Sequence, residues 1–492
     1  MEHVIAHSSF VSANTGKQKS NSRAFITTRK SWQHFGLCII IYLLISVLLV
    51  GPNAQAAEAQ PTDNTKLIEP SADAAKAEAS DNAPPPDTPS CLKYDRYNYK
   101  GSEAPFPSNC ESISPELGGA RKAMFDAGWN AQLLLTHGLT YDLKGHDGGK
   151  QYYSGQKPSY TATGSLIVTH DLERHGLPAG SLFTLGGSFN YNSFRGDGLR
   201  EAFISQLSAR VPLYDDRLII QAGYYALANQ FYGTLLGNNI AASTLGPSSG
   251  LLAQVGALGF KPSPAVDVRL YSEDKRFYYH GGLARSISPD GLFADADENR
   301  YGLKFKTKGA KTIALNEVGY RVESGPNQRK VWLRGGVAYN DSDYTRLDDP
   351  SKTNNNYGAY VVGDIQLTQP DSSLPYKGWY MNAYVNQGRE NVNYLPGAFG
   401  GSIYSLGPFD SRPYDLFALG VSKNQYSSWA RRSAADADID YAKASSSISL
   451  SYAYRVSQGV YVQSALIHTD NPTFAPKLDS SLNANVTLVL VF

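Results

Sequence analysis

Apolar and polar residues alternate with a period of two to the very end of the chain. Leu482, Ala484, Val486, Leu488, Leu490 and Phe492 fall on one side, and Asn483, Asn485 and Thr487 on the other. Period two is the mark of a strand with two unlike faces. The pattern recurs upstream. In 130–143, Ala131, Leu133, Leu135, His137, Leu139, Tyr141 and Leu143 alternate with Asn130, Gln132, Thr136, Thr140 and Asp142. In 217–225, Arg217 and Gln221 stand opposite Leu218, Ile220 and Tyr224. In 357–369, Asp364, Gln366 and Thr368 oppose Val361, Ile365 and Leu367. In 378–388, Asn382 and Asn386 oppose Met381, Ala383 and Val385. In 446–457, Ser447, Ser449, Ser451 and Arg455 oppose Ile448, Leu450, Tyr452, Tyr454 and Val456. Each segment has one face suited to lipid and one suited to water.

An open sheet edge cannot persist inside a bilayer, where no water satisfies the backbone, so such strands must close into a barrel. A barrel with both ends on one side alternates long and short connections. Treating 300–307 and 312–323 as separate strands breaks that parity. Assigning 300–307 to a long loop and 400–407 to a strand restores it. The predicted strands are then 130–143, 163–173, 181–192, 202–212, 217–226, 250–262, 265–274, 312–323, 330–341, 357–369, 378–388, 400–407, 414–424, 446–457, 459–469 and 481–492. The short turns are 174–180, 213–216, 263–264, 370–376 and 408–413. The long loops include 227–249, 275–299, 389–399 and 425–445. The fold class is all-β, a transmembrane antiparallel β-barrel of about sixteen strands. One short helix is expected within 118–128, ending at a glycine. A secreted soluble β-protein is the competing reading.

Composition agrees with a barrel. The 492 residues carry 45 Lys and Arg against 44 Asp and Glu, which gives no basis for a nucleic-acid partner. Aromatics make up 12%, with 33 Tyr. Mean hydropathy is only −0.34, too polar for a bundle of membrane helices. The one continuous apolar run, 36–50, follows Lys17, Lys19, Arg23, Arg29 and Lys30 and precedes Ala54-Gln55-Ala56. That is the layout of a signal peptide over 1–56, with an uncleaved anchor as the alternative. Residues 57–90 are rich in Ala, Pro, Asp and Glu without hydrophobic period and read as a disordered tether. Residues 57–114 are thus a periplasmic segment and 115–492 the barrel. Cys38 leaves with the signal peptide. The remaining pair, Cys91 and Cys110, is expected as a disulfide in an exported chain, with two free thiols as the alternative. Closing such a loop removes about 3 kcal/mol of unfolded-chain entropy. No spacing suggests a metal or a cofactor.

Several stretches resemble the carbohydrate-selective porins of the OprB type. Gly118-Gly119-Ala120-Arg121 is similar to the family's Gly-Gly-x-Arg opening, although Glu116-Leu117 stands where the family usually carries Asp-Trp. Glu201-Ala-Phe-Ile-Ser-Gln206 resembles a Glu-Leu-Trp-x-Glu-Gln strand, and 218–223 followed by Phe231 resembles a strand, Gly, Phe stretch. Glu317-Val-Gly-Tyr320 matches Glu-Val-Gly-Tyr. Residues 407–415 with Leu419-Gly-Val421 look like the Gly-x-x-Pro-Gly-Arg-Pro-x-Asp turn and strand, and Asn471-Pro472 precedes the last strand. Residues 446–452 lack the carboxylates usual in the penultimate hairpin. The resemblance implies a sixteen-stranded outer-membrane barrel passing glucose and related sugars by diffusion. Its N-terminal segment would be periplasmic. Its partners would be sugars, outer-membrane lipid and the barrel-assembly machinery reached through the C-terminal strand, with a homotrimer left open.

A sugar presents hydroxyls that donate and accept, and ring faces that stack on aromatics. A diffusion pore must hold it weakly, since release limits flux as much as entry does. Alternation places Gln206, Arg210, Gln221, Glu317, Arg334, Asp364 and Gln366 inward, with Tyr225, Tyr271, Tyr380 and Tyr384 beside them. Arg195, Asp197, Arg200 and Glu201 cap a hairpin and, with Glu317, are candidates for the constriction, because Arg and Glu can share sugar hydroxyls bidentately. The same set could instead be a lattice of wall-stiffening ion pairs. Trp379, Tyr214 and Phe492 suit interfacial girdles. The run Asp295, Asp297, Glu298 reads as a solvated loop tip or a cation site. There is no Gly-x-Ser-x-Gly, His-Glu-x-x-His or Gly-x-x-x-x-Gly-Lys-Ser/Thr, so no catalytic residue is assigned. The alternatives to a sugar porin are a general or anion-selective porin of the same fold and, second, a barrel hydrolase.

Overall fold

The computed structural model describes residues 90–100, 107–233, 250–257 and 261–492. The expected signal peptide and most of the tether lie outside the described residues. Sixteen antiparallel strands close into one barrel, with β1 hydrogen-bonded to both β2 and β16. They are β1 (Trp129–Asp142), β2 (Ser159–Asp171), β3 (Leu182–Asn192), β4 (Glu201–Leu213), β5 (Leu218–Tyr225), β6 (Ser263–Tyr271), β7 (Phe277–Arg285) and β8 (Thr312–Val322). The second half comprises β9 (Val331–Thr345), β10 (Thr353–Gln366), β11 (Gly378–Gly388), β12 (Gly397–Leu406), β13 (Leu416–Gln425), β14 (Ala444–Ser457), β15 (Val460–Asp470) and β16 (Ser481–Val491). A short helix, α1 (Ala120–Asp126), leads into β1. Both ends of the barrel chain lie at the end marked by Trp129 and Phe492, where no connection exceeds the one over 367–377. The longest loops, 143–158, 226–262, 286–311 and 426–443, lie at the other.

Alternation sorts the two faces. On β11, Trp379, Met381 and Val385 are exposed on the outside, whereas Tyr380, Asn382, Tyr384 and Asn386 are buried on the inside. β9 behaves likewise, with Leu333, Val337 and Tyr339 outward and Trp332, Arg334 and Asn340 inward. Strand β4 breaks the rule once. Gly186 faces Gln206 and Gly187 faces Ile204, so Ser205 is an extra, bulged residue. A bulge shifts the phase of side chains. Below it the even positions Gln206, Ser208 and Arg210 point inward; above it the odd positions Glu201 and Phe203 do.

Two assignments from sequence change. The described part of the predicted strand 250–262 is not a strand: Gly250–Gln254 forms a helix, α2. Ser263 and Pro264, expected as a turn, open β6. The displaced strand is β7, whose residues fall within the long loop expected over 275–299. Physically, Leu251, Leu252 and Val255 recur at helical spacing and bury one face. In β7, Phe277, Tyr279 and Leu283 point outward and Tyr278, His280 and Ala284 inward. The two changes are adjacent and cancel in the parity, so the count of sixteen stands. Residues 300–307 are loop and 397–406 a strand, as parity requires.

The long connection between β5 and β6 turns into the barrel. Leu227, Phe231 and Tyr232 at its start, Leu251 and Leu252 in α2 and Val255 just after it pack on the inner faces of Ile313, Leu315, Tyr360, Val362 and Tyr384. Each such burial contributes about 1.5–3 kcal/mol. Ordering backbone costs about 1–2 kcal/mol per residue. A few apolar contacts therefore hold short stretches only, and the loop needs polar fastenings as well.

Candidate functional site: the barrel lumen

Those fastenings converge on Tyr232. Its backbone N–H donates to Glu317 Oε2 at 3.0 Å. Its carbonyl accepts from Arg334 Nη2 at 3.0 Å, and the next carbonyl, of Gly233, also accepts from Arg334. Its hydroxyl accepts from Asn386 Nδ2 at 2.9 Å. Tyr232 has a left-handed backbone, φ 68°, uncommon for a tyrosine. Glu317 is enclosed by donors: besides Tyr232, the hydroxyls of Tyr278 (2.7 Å) and Tyr360 (2.6 Å) reach it. Trp332 Nε1 in turn donates to Tyr278 Oη at 2.9 Å. Arg334 pairs with Asp364 at 2.7 Å, both side chains fully buried, and lies 3.7 Å from the centroid of Trp332. Asn382 Nδ2 donates to the other Asp364 oxygen at 2.8 Å.

A second fastening lies on β6 and β7. His280 Nε2 and Asp267 Oδ2 are 2.9 Å apart, and Arg269 Nη2 approaches His280 Nδ1 at 3.1 Å. Tyr225 donates to Asp267. Phe231 stacks on His280 with centroids 4.1 Å apart.

The residues singled out from sequence divide by position. Glu317 and Arg334 come together on Tyr232. Gln366 is buried at the turn end, donating to the carbonyls of Pro375 (2.8 Å) and Lys377 (3.2 Å) and accepting from Lys330 N–H (3.0 Å). Gln206 faces the lumen and accepts from Tyr99 Oη at 3.2 Å. Arg210 and Gln221 face each other across β4 and β5. Glu201 points inward and pairs with Lys261, which lies under Phe203. Arg200 points the other way: it donates to the carbonyls of Asn192 (2.6 Å) and Ser193 (2.5 Å) and covers the outward ring of Tyr191. Arg195 and Asp197 share a single 3-10 turn, with Arg195 over Phe293. Arg195, Arg200 and Glu201 therefore do not form one cluster with Glu317. Asp295 is buried and paired with Arg285 at 2.7 Å, not at a solvated tip. Among the described residues, no group of three or more His, Cys, Asp or Glu could hold a metal ion.

Sequence reading missed Tyr232, Tyr278, Asp267 and His280. Tyr360 shares the even phase of Asp364 and was open to detection. Tyr278 and His280 were hidden by the misplaced β7, and Tyr232 lies in a loop, where no period exists to mark it.

The lumen has two unlike sides. Inward ionisable side chains cluster on β4–β10: Glu201, Arg210, Asp267, Arg269, His280, Glu317, Arg321, Arg334 and Asp364. Five of these, Asp267, His280, Glu317, Arg334 and Asp364, are at most 3% exposed. On β12–β16 and β1–β3 the inward side chains between the rims are uncharged; Asp142, Asp171 and Arg455 stand at strand ends. Hydroxyls and amides recur there: Thr136, Thr163, Ser165, Ser188, Ser447, Asn485 and Thr487, midway along the wall, are half-buried, whereas Asn130, Gln132, Thr169, Gln463 and Asn483 are buried. Ser165 and Ser188 hydroxyls lie 2.9 Å apart, as do Ser447 and Thr469 at 3.0 Å. Asn485 donates to Thr140 at 2.8 Å, and Thr487 to Asn485 at 3.2 Å.

The sequence model of the carbohydrate-selective porin, OprB family, matches residues 164–489. The chain belongs to that family. The porin also resembles the solved high-pH structure of Pseudomonas putida OprB, at a TM-score of 0.65 and 16% identity over 79% of this chain and 100% of that one. The low-pH structure of the same protein gives a TM-score of 0.50 at 16% identity, with coverage of 79% and 100%. At such identity these likenesses bear on the fold alone. No curated protein matches the porin's sequence. Family and barrel together make it an outer-membrane channel that passes carbohydrates. The disulfide Cys91–Cys110 is formed.

Proposed function

We propose that sugars cross the barrel along the uncharged wall of β12–β16 and β1–β3, past the loop that Tyr232 fastens to the opposite wall. The observation that carries this is the division of the lumen. Most inward charges are buried in loop fastenings, so the accessible groups on the facing wall are hydroxyls and amides. These exchange hydrogen bonds with a sugar at little net gain, which suits weak binding and rapid release. Glu317 and Arg334 act here by positioning the loop. Glu201, Gln206, Arg210 and Gln221 border the path from β4 and β5.

Conductance in planar bilayers tests this reading. Glucose should block the current, and an equal concentration of a non-sugar osmolyte should not. Current insensitive to any sugar would sink the sugar path while sparing the barrel.

The remaining features of this reading concern placement in the cell. The turn end, with α1 and the N-terminal segment, faces the periplasm. Residues 1–56 are the signal peptide, so N-terminal sequencing of the membrane-inserted protein should begin at Ala57. The barrel-assembly machinery engages β16. Cross-linking in membranes distinguishes a homotrimer from a monomer.

A further inference from the structure

The segment before α1 is folded into the mouth of the barrel. Residues 90–97 form a 3-10 helix, joined through Cys91–Cys110 to the short turn Asn109–Glu111. Asp95 clasps the segment from within. It accepts from Ser108 Oγ (2.5 Å), from Asn109 N–H (2.7 Å) and from Asn98 Nδ2 (3.0 Å). The outside of the segment meets inward side chains of the wall. Glu111 takes Arg455 Nε and Tyr461 Oη, each at 2.6 Å, from β14 and β15. Ile113 N–H donates to the Val491 carbonyl of β16 at 2.8 Å. Asn130 and Gln132 of β1 reach Asn98 (3.0 Å) and the Pro107 carbonyl (2.8 Å). Thr169 of β2 donates to the Tyr97 carbonyl. Tyr99 ends the arc at Gln206, midway along β4.

A body fastened to β14, β15, β1, β2 and β4 by side chains that point into the bore, and to the end of β16 through its backbone, stands inside it. Helical segments with their side chains are about 10–12 Å across, which fills much of the channel that a sixteen-strand barrel leaves open. The segment also sits at the turn-end foot of the uncharged wall, where a solute following that wall must arrive. It lies N-terminal to the region shared with the family, 164–489.

We propose that residues 90–100 and 107–113 form a second narrowing of this pore, independent of the Tyr232 loop, and that it sets the upper size limit of the sugars admitted. The inference rests on the sugar-porin reading for the identity of the solute, but the narrowing itself does not. Its fastenings to the wall strands named above are polar, so they can be removed while the packing of Tyr94 and Tyr97 on Phe125 of α1 stays in place. The staple keeps the segment compact enough to stand in the bore.

The test uses full-length protein carrying Asp95→Ala and Glu111→Ala, with and without Cys91→Ser and Cys110→Ser, in planar bilayers and swelling liposomes. Heat-modifiable migration on gels verifies that the barrel is assembled. Conductance should rise, and the size limit should shift from short to longer maltooligosaccharides, most with all four substitutions. Glucose block in the parent protein checks the sugar reading separately. An assembled variant whose segment has become protease-sensitive while conductance and size limit match the parent would overturn the proposal. Lys100→Cys supplies a second reading that needs no release of the segment. Labelling it with a bulky maleimide should step the current down, and an unchanged current in the labelled pore would overturn the narrowing.

Discussion

At the scale of single residues, Tyr232 shows how a loop is held where apolar packing is thin. A left-handed conformation costs a non-glycine residue about 1–2 kcal/mol. Three hydrogen-bonding partners, each worth about 0.5–1.5 kcal/mol net and more when charged, offset it. Arg334 serves both the loop carbonyls and Asp364, so Arg334→Ala should be severe. It strands a fully buried carboxylate, for which a loss of about 3–5 kcal/mol is expected, readable as a lower urea midpoint in detergent. Tyr232→Phe removes only the Asn386 contact and should cost about 1 kcal/mol, with noisier open-channel current as the loop loosens. An equal effect from both substitutions would contradict this ranking. The inward phase of Glu317 and Arg334 was legible from alternation on β8 and β9. What they hold was not, because their partner lies in a loop whose sequence carries no repeat.

Among the elements, β4 shows the limit of reading by phase. One bulged residue lets both Glu201 and Gln206 face inward although five positions separate them. Deleting Ser205 should restore strict alternation, turn Glu201 and Phe203 toward lipid and strip Lys261 of its partner. The deletion should weaken the heat-resistant folded band, whereas Ser205→Ala, which keeps the length, should not. The exchange of α2 for β7 has a similar origin. A short apolar run fits a strand or a buried helix equally by period. Only the inner wall, which offers α2 an apolar seat, decides between them. The stapled segment adds a pH dependence of its own. Burial, with Glu116 beside it, pushes Tyr94 from 10.0 up to about 12. A raised phenol favours the docked state below the ordinary value, and that contribution disappears as pH rises through the raised one. Proteolysis of the segment should therefore accelerate between pH about 10 and about 12, and Tyr94→Phe should flatten the rise.

For the whole molecule, the barrel divides its lining into a wall of fastened charges and a wall of uncharged hydroxyls and amides. Such a pore should discriminate little between small cations and anions. Placing one charge on the neutral side, as in Ser188→Arg, should shift the reversal potential toward anions and reduce sugar flux. A reversal potential unmoved by that substitution would place the path elsewhere. Closure, strand number and the two-faced wall could be read from period and parity, since both follow from the bilayer. The unlikeness of the two sides could not, because it depends on which charges a folded loop covers. The stapled segment carries a consequence for the order of events in assembly. Its cysteines are 19 residues apart and can join early, yet Glu111 must wait for Arg455, 344 residues later. Contacts so distant along the chain form late. Protection of the segment from protease would therefore time the moment when β16 meets β1, a clock for barrel closure built into a segment that precedes the barrel.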